Sequence, residues 1–275
     1  MISFEKELIL AKELAVEAGE IADQYFSHSV ERELKHDGSP VTEADIAINS
    51  LIIKRVGQIF PGHKIIGEEE CGGDENSSIA WIVDPIDGTR SFAEGIPVGT
   101  VLIAITADGE PQASVTYEHR EKRMYFAHKG EGAWLQNVGD GRAEAYQLHT
   151  SSKKSLVRSF GNIAGYNSFS PRTVGYNIHE GVTLKGEGAR VLDLNATGYH
   201  AAMVAKGSWE FAVVGLTTAH DIAAAALLVP EAGGRVTDLQ GNNQRYDQPI
   251  NGAIVSNGHV HDELLEIVAD AYSRD

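Results

Sequence analysis

The run Trp81-Ile82-Val83-Asp84-Pro85-Ile86-Asp87-Gly88-Thr89 constrains this chain more than any other segment. Its apolar first half reads as a buried strand, and the strand ends on an aspartate followed by a proline. A second aspartate stands three positions on, before Gly-Thr. Taken alone, Asp-x-x-Asp-Gly describes a proline turn with aspartates capping backbone amides more readily than a metal site. It also lacks the alternating oxygen ligands and late glutamate of a calcium loop. The segment therefore fixes a strand running into an acidic turn and leaves its chemistry open.

The surrounding pattern is that of layered helices and sheets. Residues 3–28 place Phe4, Leu8, Ala11, Leu14, Ala15, Ala18, Ile21, Ala22 and Tyr25 at helical spacing, with Ser3 as the expected N-cap. After the turn-rich His36-Asp37-Gly38-Ser39-Pro40, Thr42 is placed to cap a second helix carrying Ile48, Ile52, Val56 and Ile59, which Pro61-Gly62 stops. Short β-rich runs follow at 64–66, 79–83, 98–106, 113–117 and 122–127, and their short connections predict a mostly antiparallel sheet. Beyond a polar stretch at 137–154, the expected order is strand 155–160, helix 197–206, strand 209–214, helix 220–232, strands 234–238 and 252–255, and helix 259–271. One domain spanning 1–275 is expected, with subdomains of about 1–150 and 151–275.

Composition enters chiefly through what it excludes. A formal charge of −16 with no run of lysine or arginine argues against a nucleic acid polymer as partner. In an enzyme acting on anions, it points to metal cations rather than arginines for charge neutralisation. No apolar stretch approaches the roughly 20 residues that span a bilayer, and the charged N-terminal residues interrupt any signal-peptide core. No membrane association and a cytoplasmic location are the expectation. A single cysteine, Cys71, forms no internal disulfide and is read as a packing residue. His259 and His261, flanking Val260, lack further ligands at metal spacing and are discounted as a site.

Three more acidic positions stand beside strand or helix ends. Glu68 lies in Gly67-Glu68-Glu69-Glu70, by itself a solvated loop. Asp221 opens a helix, where the macrodipole favours it. Asp45 follows Thr42 by three residues, as in a capping box. Together, the order and spacing of Thr42-Glu43-Ala44-Asp45, Gly67-Glu68-Glu69, Trp81–Thr89 and His220-Asp221-Ile222-Ala223-Ala224 through Glu231-Ala232-Gly233-Gly234 resemble the inositol monophosphatase superfamily along nearly the whole chain. The resemblance implies an α+β fold, a layered α-β-α-β-α sandwich of the inositol monophosphatase / fructose-1,6-bisphosphatase type, assembled as a homodimer. It also implies magnesium-dependent hydrolysis of a small phosphorylated metabolite.

Carried over residue by residue, the resemblance makes Glu68, Asp84 and the Ile86 carbonyl ligands of one Mg²⁺. Asp84, Asp87 and Asp221 would hold a second, and a third ion would sit near Glu68. Hard oxygen ligands of this kind suit magnesium. The nucleophile would be a water activated by metal, oriented by Thr89 with Asp45 and Glu68, while Asp87, Gly88 and Thr89 receive the phosphate. Lys35 matches a lysine near the family's site. Two departures stand out: His220 replaces the usual tryptophan, and the segment Glu210–Gly215 places Val213 or Val214 where inositol-specific members carry a glutamate, with Glu210 as the alternative acceptor. The substrate is left open among inositol phosphate, histidinol phosphate, fructose 1,6-bisphosphate and 3′-phosphoadenosine 5′-phosphate. A non-catalytic binding protein that keeps the fold is the competing reading.

Overall fold

The computed structural model describes residues 3–26, 33–34, 40–139 and 144–274. Leu8, Ala11, Leu14, Ala15, Ala18 and Ala22 share one buried stripe of helix α1 (Glu5–Tyr25). Phe4, not Ser3, occupies its N-cap and makes no side-chain capping bond. The two-residue strands β1 (Glu33–Leu34) and β2 (Pro40–Val41) pair antiparallel ahead of α2 (Glu43–Ile59). Helix α2 starts as expected at Thr42, whose backbone N–H and hydroxyl both donate to Asp45 Oδ2, at 2.8 and 2.6 Å. Ile48, Ile52 and Val56 are its buried face.

The next strands are β3 (Lys64–Gly67), β4 (Cys71–Gly73), β5 (Ile79–Asp87) and, after the short helix α3 (Thr89–Ala93), β6 (Thr100–Ala107). Then come β7 (Glu110–Glu118), β8 (Arg123–His128), β9 (Ala133–Asn137) and β10 (Ala145–Gln147). They form an eight-stranded sheet ordered β10-β9-β8-β7-β6-β5-β3-β4. Within it only β3 and β5 pair in parallel, as the short connections require. Both edges are three-residue strands, which limits unpaired backbone. Cys71 sits exposed on the edge strand β4, so it is no packing residue.

The second half begins with β11 (Phe160–Ile163), five residues later than the sequence pattern placed a strand. Helix α4 (Arg172–Lys185), absent from the sequence expectation, follows. Next are β12 (Arg190–Val191), α5 (Thr197–Ala205), β13 (Phe211–Val214), α6 (Ala219–Ile222), α7 (Ala225–Glu231), β14 (Arg235–Thr237), β15 (Ala253–Ser256) and α8 (His261–Ser273). The single helix expected at 220–232 is thus two, interrupted at Ala223 and Ala224. A five-stranded sheet runs β12-β11-β13-β15-β14.

Three apolar clusters bind five layers. Strand alternation gives one face of the large sheet Trp81, Val83, Val101, Ile103 and Ile105, packed with the stripes of α1 and α2. Its other face, Ile82, Leu102 and Ala104, meets the alanine-rich α5, α6 and α7, which also cover Ala212, Val214, Ala253 and Val255 of the small sheet. The outer face of that sheet, Ile163, Phe211, Val213 and Ile254, is closed by Val174, Ile178 and Val182 of α4 and Leu264, Ile267 and Val268 of α8. Each fully buried aliphatic side chain contributes about 1.5–3 kcal/mol from leaving water. The α-β-α-β-α sandwich follows, with the middle helical layer shared by both sheets.

Candidate active site

Residues three apart on a regular strand point to opposite faces. Asp84 pairs with Leu102 and Asp87 with Thr100, so three steps along β5 match two along β6. This bulge, located where Pro85 can donate no hydrogen bond, returns both aspartates to the face that meets the middle helices. Asp221 comes from the opening turn of α6 in that layer. Carboxylate oxygens of Asp84, Asp87 and Asp221 lie within 4.8 Å of one another.

The trio is under electrostatic stress. Asp84 is almost wholly buried and its Oδ1 has no hydrogen-bond partner. Burial first, then the charges of Glu68, Asp87 and Asp221, push its carboxyl well above the usual range. Burial also pushes Asp87 up to about 7, against the opposing hydrogen bond from the Thr100 hydroxyl. Asp87 is held on every side. Its Oδ1 accepts from Thr197 N–H at 2.8 Å, and its Oδ2 accepts from Gly198 N–H at 2.9 Å and Thr100 Oγ1 at 2.7 Å. It thereby anchors the start of α5 to the large sheet. The Asp221 side chain receives the Thr217 hydroxyl at 2.7 Å and both donors of Thr218 at 2.8 and 2.9 Å, all on Oδ2. Like Asp45, it is the N3 residue of a capping box.

A cavity of about 200 Å³ opens over this trio. Glu68, Asp84, Ile86, Asp87, Gly88, Thr89 and Asp221 all line it. Glu68 is exposed at its rim and stands outside the tight trio. Asp45 is buried and reaches the cavity through Thr89: the Thr89 hydroxyl donates to the Ile86 carbonyl at 2.8 Å and lies 3.5 Å from Asp45 Oδ1. Burial, opposed by hydrogen bonds from Thr42, pushes the Asp45 carboxyl up to about 6. Gly88 takes a left-handed φ of 89°, and a Cβ there would lie 3.0 Å from that of Ala196. The glycine therefore permits both the turn into α3 and the close approach of the 195–196 backbone.

Two candidate residues fall elsewhere. Glu210 does not line the cavity; it accepts from Ser151 Oγ at 3.0 Å and Phe160 N–H at 2.7 Å, tying β11 to the 151 loop. His220 also lies off the cavity wall, with Nδ1 3.1 Å from the Thr218 hydroxyl. Lys35 lies outside the described residues. Of the two valines, Val213 faces α4 and α8, whereas Val214 faces the cavity. His261 is structural: its ring nitrogens meet Ser256 Oγ at 2.8 Å and Thr237 Oγ1 at 2.9 Å in the interior.

The sequence reading missed the rest of the lining, chiefly Asn162, Asp193, Asn195, Thr197 and His200. They come from β11, the 192–196 loop and α5. A local cue existed only for Asp193-Leu194-Asn195, a polar turn in which Asn195 N–H donates to Asp193 Oδ1 at 2.9 Å.

The donor set fits a hard divalent cation. Three carboxylates converge, one oxygen is buried without a protein partner, and like charges raise the cost of ionisation until a cation arrives. Comparison with known proteins finds relatives along nearly the whole chain. The model of the inositol monophosphatase family matches residues 4–273. A histidinol-phosphatase of Mycobacterium tuberculosis is 33% identical, with 94% of this chain and 96% of that protein covered. Inositol monophosphatase 1 of Solanum lycopersicum is 30% identical over 96% of this chain and 95% of its own. Among solved structures, the IMPase of Thermotoga maritima superposes with a TM-score of 0.84 at 27% identity, covering 98% of this chain and 99% of that one.

Proposed function

Because the chain belongs to the inositol monophosphatase family and is a phosphoric monoester hydrolase, we propose that it works with two to three magnesium ions on a small phosphorylated metabolite. The observation that carries this reading is Asp84 Oδ1, buried without a partner inside a trio of carboxylates. Asp84, Asp87 and Asp221 would hold one ion, Glu68, Asp84 and the Ile86 carbonyl another, and a weaker third would sit beside Glu68. Bound there, magnesium supplies Lewis acidity that activates water and neutralises phosphoryl oxygens.

The chain's own groups position the reaction. The Thr89 hydroxyl has one proton and two acceptors in reach, the Ile86 carbonyl and Asp45. Donating to Asp45, the hydroxyl would turn its lone pairs to accept from and orient the attacking water. Gly88 and Thr89, at the N-cap and first position of α3, turn backbone N–H groups toward a phosphate oxygen. Asp87 keeps α5 in register with this array.

Val214 supports a substrate other than inositol 1-phosphate, since it puts an apolar side chain where the resemblance gives inositol-specific members a glutamate. We assign the enzyme to the cytoplasm, where an exposed free thiol such as Cys71 stays reduced, and expect a homodimer. Magnesium added back after chelation should restore phosphate release from p-nitrophenyl phosphate and raise the melting temperature. Turnover that survives chelation, or an unchanged melting temperature, would overturn the magnesium assignment.

A further inference from the structure

The part of the cavity away from the trio is built from acceptors. Asn162 is 1% exposed and lines the cavity. Its Nδ2 donates to the Leu192 carbonyl at 3.1 Å and to Asp193 Oδ1 at 3.3 Å. Both partners are acceptors, which fixes the amide orientation and leaves Asn162 Oδ1 as the group with no protein partner. Asp193 repeats the arrangement. Its Oδ1 takes the Asn195 N–H at 2.9 Å as well as the Asn162 amide, and Oδ2 takes neither.

Among the described residues no lysine or arginine balances this wall. Among the described residues lining the cavity, the ionisable side chains besides His200 are Glu68, Asp84, Asp87, Asp193 and Asp221, with no lysine or arginine. His200 is neutral there: burial lowers it to about 4, and its Nε2 accepts from Leu194 N–H at 3.2 Å. Glu68, Asp84, Asp87 and Asp221 are engaged by metal in the proposed function. Asp193 is left over, a half-buried carboxylate beside a buried amide oxygen.

We propose that Asp193 and Asn162 select a phosphate monoester whose alcohol carries an ammonium group. An ammonium offers donors in several directions and a positive charge, so it satisfies two acceptors and the carboxylate at once. A neutral polyol satisfies the acceptors and leaves the charge unmatched, and a second phosphate would meet like charge. This inference rests on the phosphatase reading and deepens it by assigning the class of leaving group.

The test compares O-phosphoethanolamine with 2-hydroxyethyl phosphate, a pair that differs only by ammonium against hydroxyl, with magnesium present. p-Nitrophenyl phosphate reports hydrolysis independently. Hydrogen bonds to charged groups of about 1.5–3 kcal/mol correspond to a preference of roughly 10- to 100-fold in kcat/KM for the amine. Asp193→Asn retains the Oδ1 acceptor for Asn195 N–H and should bring that ratio close to one. Asp193→Ser, whose hydroxyl can make the same turn, should do likewise if the asparagine variant folds poorly. Equal rates on the two esters in the wild type overturn the inference while p-nitrophenyl phosphate turnover leaves the phosphatase reading standing. A wild-type preference that survives in both variants also overturns it. If p-nitrophenyl phosphate is not hydrolysed either, the phosphatase reading falls and the inference with it.

Discussion

The cavity has two walls that solve opposite physical problems. One wall, on the β5 bulge and the start of α6, crowds Asp84, Asp87 and Asp221 together and leaves an Asp84 oxygen buried without a partner. The other, from β11 through the 192–197 loop, keeps its buried histidine neutral and fastens its one carboxylate with an amide and a backbone N–H. The first wall holds charge that a cation must relieve. The second holds shape and a pattern of acceptors. Stability and function are therefore opposed on the first wall and aligned on the second.

The strongest way to break this contrast is Asp84→Asn. It removes a metal-facing charge and should lower magnesium-dependent turnover by roughly a hundredfold or more, in the range lost when a charge-stabilising group is deleted. The same change relieves the repulsion from Glu68, Asp87 and Asp221, so the chelated protein should melt at a higher temperature than the chelated wild type. Phosphate release and thermal melts on the same samples check both directions. A variant that loses activity and also melts lower would make Asp84 a packing residue.

Thr89→Ala should come next, with about a hundredfold loss in kcat and little change in KM, as expected for a group that orients an attacking water. Asp45→Asn should fall to a similar level. The double variant should be no worse than either single one, because groups acting as a unit are not additive. Losses that multiply independently would separate Asp45 from Thr89 and leave it only as the capping partner of Thr42.

Gly198→Ala tests the seam between the walls. A Cβ there would lie 2.3 Å from Leu102 Cδ2 and 3.1 Å from Asp87 Oδ2. Overpacking of this kind costs typically about 1–3 kcal/mol, and urea denaturation should show it. Because Asp87 receives the Gly198 N–H, activity should drop with stability, unlike in Asp84→Asn.

The two walls also differ in how far they could be read from residues alone. The first rests on short local patterns: a strand into Asp-Pro, glycine before glutamate, and threonine with aspartate three positions on. Each alone reads as a turn, a loop or a cap, and it is the resemblance of their order and spacing to the inositol monophosphatase family that joins Glu68, Asp84, Asp87, Thr89 and Asp221. The second is made by tertiary contact. Asn162 meets Asp193 only because β11 and β12 are parallel neighbours, and no local spacing records that. The strand shift of β11 and the missed α4 share a cause. Helix α4 keeps Val174, Ile178 and Val182 on one face, yet its glycines and β-branched residues have poor helix propensity; packing against α8 overrides it. On β13 strand alternation turns Val214 to the cavity and Val213 to α4 and α8, while Glu210 is held by Ser151 Oγ and Phe160 N–H.

The smallest effect expected is a pH dependence of stability from the second wall. His200 is neutral in the folded protein, lowered by burial to about 4 from an ordinary 6.5, and it needs its Nε2 lone pair to accept from Leu194 N–H. A folded pKa below the unfolded one means that the unfolded chain binds the extra proton between those values. Stability from this residue is complete above about pH 6.5 and is lost as pH falls toward about 4. His261, also lowered to about 4 by burial, acts in the same window from outside the cavity. His200→Gln removes the titration and keeps an acceptor for Leu194 N–H. Between pH 6.5 and 4 the variant should therefore take up roughly one proton fewer on unfolding, read as a shallower slope of log K against pH from urea melts on chelated protein. His261→Gln should flatten the same limb without changing magnesium-dependent turnover at neutral pH, which ties the slope to burial. An unchanged slope in His200→Gln would mean that the ring is already protonated in the folded cavity, and the second wall would then hold a cation of its own beside Asp193.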